Sequence, residues 1–193
     1  MTAGRRLTAM SPARHRRLLR WALSPRALLA AAILLVMVAA APARADLKVG
    51  DRVKEFDNAV DASDKPFKLK ALGGWRFVSA NAAWCEPCRK ELPVWDKLSA
   101  ALGSKITFVA LSLDNDVKDG KAFHKKLKLA HMKLAYMPEE KSAVAASYGA
   151  STMPASFVID PEGVVKYVHK GFDPRNADGE YKKMKERLEK LIK

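Results

Sequence analysis

The strongest structural signal in this 193-residue chain is the stretch WCEPCRKELP, residues 84–93, which contains both of its cysteines. Residues 75–80, just before it, have the pattern of a strand. Apolar residues then recur at three- and four-residue spacing from 92 to 102, which predicts a helix that ends at Gly103. Cys85 therefore falls where a strand gives way to a helix, and Cys88 lies one turn further along.

This placement suits the two cysteines to disulfide exchange rather than to structural crosslinking. A disulfide that closes so short a loop removes little chain entropy. At the start of a helix, unpaired amides and the helix dipole favour the Cys85 thiolate and lower its pKa, so the sulfur becomes a nucleophile and a good leaving group. Cys88 is placed to attack the resulting mixed disulfide, and Pro87 between them suits a first helical turn.

A zinc half-site and a pair of inert buried thiols are the alternatives. Zinc would need two further ligands, and His124, His131 and His169 do not lie at finger-like spacing. We expect His124 to be exposed. The prediction is therefore no metal, and no cofactor other than the redox-active Cys85–Cys88 disulfide.

Residues 46–193 alternate strand and helix signals without an internal repeat or a long linker, which predicts one α/β domain with a mixed sheet. The helix after Cys85 contains Pro93, which should kink it. Strands are predicted at 56–60 and 67–69 (a short pair), 75–80, 106–113, 131–136, 157–160 and 164–169, and further helices at 117–128, 139–148 and the C-terminus.

Residues 84–93 resemble the active-site stretch of thioredoxin-like proteins, specifically the exported TlpA/ResA branch. A second motif, YGASTMPASFVID at 148–160, agrees with this resemblance, which covers about residues 47–193. It implies a thioredoxin-like three-layer sandwich with a mixed central sheet, an N-terminal strand extension and a central insertion around 117–136.

The resemblance also assigns a substrate-docking surface. In that family the proline matching Pro154 is cis and lies against the reactive disulfide, while the preceding residue, here Met153, presents its backbone to an incoming peptide. Trp84, Glu86 and Pro87 flank the nucleophile on the same surface. The alternatives are a trans turn proline at 154 and a Trp84 that only caps the core.

Glu91 lies three residues past Cys88 and hence on the same helical face, roughly one turn beneath the pair. In the TlpA/ResA branch a glutamate at this position tunes thiol acidity and handles protons. If it is partly buried, its ionised form would raise the cysteine pKa and oppose the helix dipole. A solvent-facing acid with no part in exchange is the alternative. Residues 79–82, SANA, depart from the relatives' pattern, so the packing behind the cysteines must differ.

The first 45 residues have the order of a secretory leader: arginines up to Arg26, an apolar run over 27–41, and Ala43-Arg44-Ala45 before Asp46. Cleavage is predicted after Ala45, with retention as an uncleaved anchor as the alternative. The domains are thus a signal peptide at 1–45 and a thioredoxin-like domain at 46–193. Because positive charge stays inside, the domain is expected in the periplasm, anchored to the inner membrane if the leader is retained.

The formal net charge of +14 does not indicate nucleic-acid binding, because the leader holds eight arginines and no acidic residue. The rest of the chain carries 27 basic and 21 acidic side chains, and its lysine clusters lie on the polar sides of predicted helices.

Together these features predict a periplasmic thiol–disulfide oxidoreductase that acts on protein substrates. The resemblance favours a reductase for cytochrome c or copper-site maturation, and such an enzyme needs a membrane thiol–disulfide electron carrier to recharge it. We expect a monomer. A disulfide-forming oxidant and a non-catalytic metallochaperone holding a metal on the two thiolates are the alternatives.

Overall fold

The computed structural model describes residues 46–142, 144–148 and 152–193. The predicted leader, residues 1–45, lies outside this described part. The strands are β1 (Trp75–Asn81), β2 (Ile106–Ser112), β3 (Lys133–Tyr136), β4 (Ala155–Ile159) and β5 (Val165–Lys170), and the α-helices are α1 (Glu86–Leu102), α2 (Val117–Leu127) and α3 (Ala177–Leu191).

The five strands form one mixed sheet in the order β3-β2-β1-β4-β5. β1, β2 and β3 are parallel, whereas β4 and β5 are antiparallel to their neighbours. β1 is central, and six of its seven residues are buried. Since the chain leaves β1 directly into α1, the cysteines lie at the carboxyl end of the central strand, and the predicted α/β class with a mixed sheet is confirmed.

Side chains alternate across the sheet and form two hydrophobic clusters. One face, which includes Phe77 and Phe108, packs with residues of α1 and α3 and with Phe123 of α2. The opposite face, which includes Val78 and Phe157, is covered by irregular backbone upstream of β1 and by short 3-10 turns. The third layer of the sandwich is therefore built from coil and 3-10 turns.

The prediction of a strand pair at 56–60 and 67–69 is wrong, because neither segment forms a regular strand. Within the described residues this stretch forms only isolated bridges, one joining Val60 to Pro66 and one joining Val60 to Tyr136 of β3. At the ends of the predicted pair a side chain takes the amides: the Glu55 carboxylate accepts from the backbone N–H of Phe56, Leu69 and Lys70.

The predicted helix at 139–148 is also wrong. The chain forms two 3-10 turns, Glu139–Lys141 and Ala145–Tyr148. Ser142 between them is extended, with φ −124° and ψ 123°. Its hydroxyl oxygen accepts from the amides of Val144 and Ala145, so a side chain replaces the helical carbonyl acceptors. In contrast, α1 continues through Pro93 to Leu102.

The segment upstream of β1 contacts both outer strands of the sheet. On one side the Gly50 amide donates to the carbonyl of Val165 in β5, and the Val165 amide donates to the carbonyl of Asp51. On the other side the backbone of Val60 exchanges two hydrogen bonds with Tyr136 in β3. Within the described residues, no helix is long and apolar enough to cross a membrane.

Candidate active site

Cys85 and Cys88 form a disulfide at the start of α1, with an S–S distance of 1.96 Å and Cα atoms 5.3 Å apart. Cys85 is the N-cap residue, and its Sγ accepts a hydrogen bond of 3.2 Å from the backbone N–H of Cys88. Pro87 occupies the first turn of the helix. Cys85 is 4% exposed and Cys88 is fully buried, so an incoming sulfur can reach Cys85 more readily than Cys88.

The loop before Cys85 is held by a buried carboxylate. Both oxygens of Asp114, at the end of β2, lie 3.0 Å from the Ala83 amide, and one of them also accepts from the Ser112 hydroxyl at 2.9 Å. Burial raises the pKa of Asp114, and these two hydrogen bonds oppose that rise. Asp114 thereby anchors the turn that presents Trp84.

The surface around the cysteines has an exposed aromatic side chain and side chains of both charges. Trp84 is 71% exposed, which makes it one of the two exposed large apolar side chains in the described part of the chain. Glu86 pairs with Arg89 at 3.1 Å, and Arg89 also donates to the carbonyl of Ala83. The sequence alternative in which Trp84 caps the core does not fit this exposure, whereas its role in docking stays a prediction.

The Met153–Pro154 peptide bond is cis, as expected. Met153 is half-buried and packs against the hydrophobic cluster that contains both cysteines. The carbonyl of Pro154 accepts from the Gly171 amide, which ties this turn to the end of β5. The two sequence motifs, 84–93 and 148–160, therefore meet at one end of the sheet.

Glu91 is completely buried, more deeply than the sequence predicts. Its Oε2 accepts a hydrogen bond of 3.0 Å from the hydroxyl of Ser79 on β1. Burial raises the pKa of Glu91 to about 8, and the nearby polar groups of Trp95, Ser79 and Ser156 lower it by less. Glu91 is therefore largely a neutral acid at pH 7 in the disulfide form.

Residues 79–82, the SANA segment that departs from the relatives' pattern, make polar contacts behind the cysteines. Ser79 and Asn81 share one face of β1, where Asn81 donates to the Ser79 carbonyl and its Oδ1 lies 2.8 Å from Nε2 of His124. His124 is 1% exposed, so the prediction that it is exposed is wrong. Gly120 and Phe123 on the same side of α2 are also buried, and His124 finds partners in Asn81 and, at 3.3 Å, the hydroxyl of Tyr136.

Burial lowers the pKa of His124 to about 4, so this histidine is neutral and acts as a structural link between α2 and the sheet. Strand alternation places Ser79 and Asn81 on one face from sequence alone. Their partners Glu91 and His124 come from helices, and no local pattern indicates that pairing. Within residues 46–142, 144–148 and 152–193, no group of three His, Cys, Asp or Glu side chains could hold a metal ion.

A mixed five-stranded sheet, a Cys-X-X-Cys disulfide at the start of the helix after the central strand, and a cis-proline turn before β4 together define a thioredoxin-like protein. Residues 48–187 match the family model Redoxin.

Two relatives and one solved structure illustrate the similarity. The thiol-disulfide oxidoreductase ResA of Bacillus thuringiensis subsp. konkukian is 31% identical over 134 residues, which span 67% of this chain and 76% of ResA. Thioredoxin-like protein YneN of Bacillus subtilis is 26% identical over 128 residues, 65% of this chain and 73% of YneN. The Chlorobium tepidum protein whose crystal structure carries the name thiol:disulfide interchange protein DsbE superposes with a TM-score of 0.60 at 28% identity, covering 72% of this chain and 96% of that one.

The chain therefore belongs to the redoxin family, and it is a thiol–disulfide oxidoreductase of the ResA/TlpA type.

Proposed function

We propose that this oxidoreductase is a reductase of protein disulfides outside the cytoplasm, acting in the maturation of cytochrome c or copper sites. The observation that carries the direction is Glu91, a completely buried carboxyl one turn beneath Cys88. A strong disulfide oxidant needs a stabilised thiolate in its reduced form. Glu91 offers a thiolate no positive charge, and the fraction of Glu91 that ionises, with a pKa of about 8, disfavours a thiolate beside it. Both effects favour the disulfide state of this protein and electron flow toward the substrate.

The cycle uses the two sulfurs in turn. The Cys85 thiolate attacks a substrate disulfide, a new S–S bond forms, and one substrate sulfur leaves as a thiolate that takes a proton. Cys88 then loses its proton and attacks Sγ of Cys85, which releases the second substrate sulfur and closes the Cys85–Cys88 disulfide. Two electrons pass to the substrate, whose two sulfurs take their protons from solvent, and the enzyme gives up the single proton of Cys88. Trp84, Glu86 and the Met153 backbone would hold the substrate peptide beside Cys85.

The same proposal places the domain in the periplasm, reached through the leader at 1–45, as a monomer recharged by a membrane thiol–disulfide carrier. An oxidising compartment offers no thiol pool to re-reduce it. In cells, rapid alkylation of free thiols should therefore find Cys85 and Cys88 mostly reduced. A pair that stays oxidised in growing cells would contradict the recharging step.

The decisive test uses Cys88→Ala, with Cys85→Ala as the matched control, and a peptide carrying an oxidised C-x-x-C-H segment as the probe. Cys88→Ala should accumulate a mixed disulfide between Cys85 and the peptide, and Cys85→Ala should form none. A metal carrier would instead lose copper or zinc on either substitution and trap no peptide.

The redox potential measured against glutathione separates the two directions. A value near that of thioredoxin, about −270 mV, supports a reductase, whereas a value near −120 mV would identify an oxidant.

A further inference from the structure

Three polar side chains form a row across the sheet, beginning beneath the disulfide. Ser79 of β1 is the direct partner of Ser156 in β4, and Ser156 is the direct partner of His169 in β5. Directly opposed residues share a face, so the row lies on the side packed by α1 and α3. On β2 the position opposite Ser79 is Ala110. The row is therefore polar only toward the edge strand β5.

The inner part of this row contains buried polar atoms whose hydrogen bonds are long or poorly aligned. In the described part of the chain six buried side-chain polar atoms make no well-formed hydrogen bond, and four belong to this region: Oε1 of Glu91, Nε1 of Trp95, Oγ of Ser156 and Nε2 of His169. Trp95 and Ser156 nevertheless lie close enough to Glu91 to lower its pKa. The Trp95 and His169 rings meet edge to face, with centroids 5.9 Å apart. Buried polar atoms normally make well-formed hydrogen bonds, so four loosely bonded atoms side by side require an explanation.

The outer end of the row reaches the surface. His169 Nε2 lies 3.5 Å from Oε2 of Glu180 on α3, and both side chains are slightly exposed. Together with Lys183 they line a pocket of about 170 Å³, to which Tyr167 and Met184 also contribute. Glu180 is close enough to Glu91 for its charge to raise the Glu91 pKa. Polar side chains on neighbouring strands thus lead from the buried carboxyl toward solvent.

We propose that Ser156, His169 and Glu180 form a proton path between Glu91 and the surface. This path opens at the β5 edge of the sheet and not at the proposed substrate-docking surface. This inference deepens the proposed function, on which it rests for the role of Glu91. When the Cys85–Cys88 bond is reduced by a dithiol, the donor thiolate attacks Cys85 and Cys88 leaves as a buried thiolate. Glu91 protonates that thiolate, and the path supplies Glu91 with a replacement proton from solvent.

Electrons and protons are both accounted for in this reduction. The disulfide gains two electrons from the donor dithiol, which becomes a disulfide and releases its protons to solvent. The single proton gained by the enzyme arrives on Cys88 by way of Glu91. When the enzyme later reduces a substrate, the same groups carry the Cys88 proton outward.

The groups around His169 fit a neutral relay. Burial lowers the pKa of His169, the carboxylate of Glu180 and the Gly171 backbone raise it, and Lys183 on α3 lowers it. From α1 the ring faces the indole of Trp95. A neutral imidazole has one nitrogen that donates and one that accepts, so it can pass a proton without holding the charge.

The experiment reduces the oxidised protein with excess dithiothreitol in a stopped-flow instrument at pH 7 in dilute, non-nucleophilic buffer. His169→Ala and Glu180→Gln are compared with His131→Ala, a control histidine whose partner is Asp96 and which is not part of the row. His169→Ala should be slowed about 100-fold, the lower end of what a positioned proton-transfer group contributes, and added imidazole should restore the rate. His131→Ala should behave as the wild type.

The redox potential distinguishes a proton relay at His169 from a structural role. A relay changes the rate of reduction but leaves the redox equilibrium of the cysteine pair unchanged. We expect the potential of His169→Ala to equal that of the wild type. A His169→Ala rate equal to the wild type, or a slow rate that imidazole does not restore, would refute the path. If His169→Ala does not fold, Glu180→Gln decides by the same rate measurement, with acetate as the diffusible proton carrier.

The outcome is independent of the proposed substrate. If peptide trapping fails while imidazole rescue succeeds, the path stands and the proposed reductase role falls. If trapping succeeds and the His169→Ala rate is normal, only the path is wrong.

Discussion

Replacing Glu91 by glutamine should make the protein more resistant to unfolding at alkaline pH. The burial of Glu91 raises its pKa from the ordinary value of 4.5 to about 8. A carboxyl with a raised pKa favours the folded state only while it is protonated. Its contribution is therefore complete below about pH 4.5 and is lost progressively as the pH rises to about 8. Glutamine keeps the shape and a neutral polar head and does not titrate.

The expected size follows from the shift. One pKa unit corresponds to about 1.4 kcal/mol, so the free energy of unfolding of Glu91→Gln relative to the wild type should rise by about 4 kcal/mol between about pH 5 and pH 9. Urea unfolding of the oxidised proteins, followed by far-ultraviolet circular dichroism across that range, measures this difference.

Glu86→Gln is the matched control, because Glu86 lies on the same helix with a side chain that is 70% exposed. Its stability difference from the wild type should stay nearly constant with pH. The reasoning about Glu91 is refuted if the Glu91→Gln difference is equally flat, or if it falls as the pH rises.

Two further substitutions test how the site is supported. Asp114→Ala removes the acceptor of the Ala83 amide and the Ser112 hydroxyl, and should lower the free energy of unfolding by about 1–3 kcal/mol. Asp114→Asn keeps one acceptor oxygen and should lower this free energy less. Equal losses for the two variants in urea unfolding would contradict the anchoring role. Gly120→Ala places a Cβ against the Ser112 hydroxyl oxygen and 3.1 Å from the Tyr136 ring. Overpacking should therefore lower the free energy of unfolding by about 1–3 kcal/mol in the same assay, despite the better helix propensity of alanine. An unchanged or higher midpoint would show that α2 can move away from β2.

The parts of the fold that the sequence predicts are those in which local preference and burial agree. β1, β2, α1 and α3 follow their apolar patterns to within a few residues, because β1 and β2 are buried on both faces and the two helices each bury one apolar face. The cysteine pair and the Met153–Pro154 turn carry motifs that place them without knowledge of the sheet.

The sequence predictions fail where a side chain hydrogen-bonds to backbone amides, or where a buried polar side chain has its partner on a distant element. Glu55 accepts the amides at the ends of a predicted strand pair, and Ser142 interrupts a predicted helix. The lysine-rich sequence around His124 predicts an exposed side chain, yet His124 hydrogen-bonds to Asn81 of the central strand. The row from Ser79 to His169 is invisible in sequence for the same reason, since it depends on the register of three strands.

The irregular segment before β1 pairs with part of both outer strands of the sheet. Open strand borders carry unpaired amides and carbonyls that invite pairing with another molecule. Gly50 and Asp51 occupy part of one border and Val60 part of the other, so a single stretch of backbone shields both sides. A fragment trimmed back to Trp75 would retain the cysteines, but it would expose both strand borders and the hydrophobic face that contains Val78 and Phe157. Its insolubility would reflect those losses rather than any defect in its chemistry.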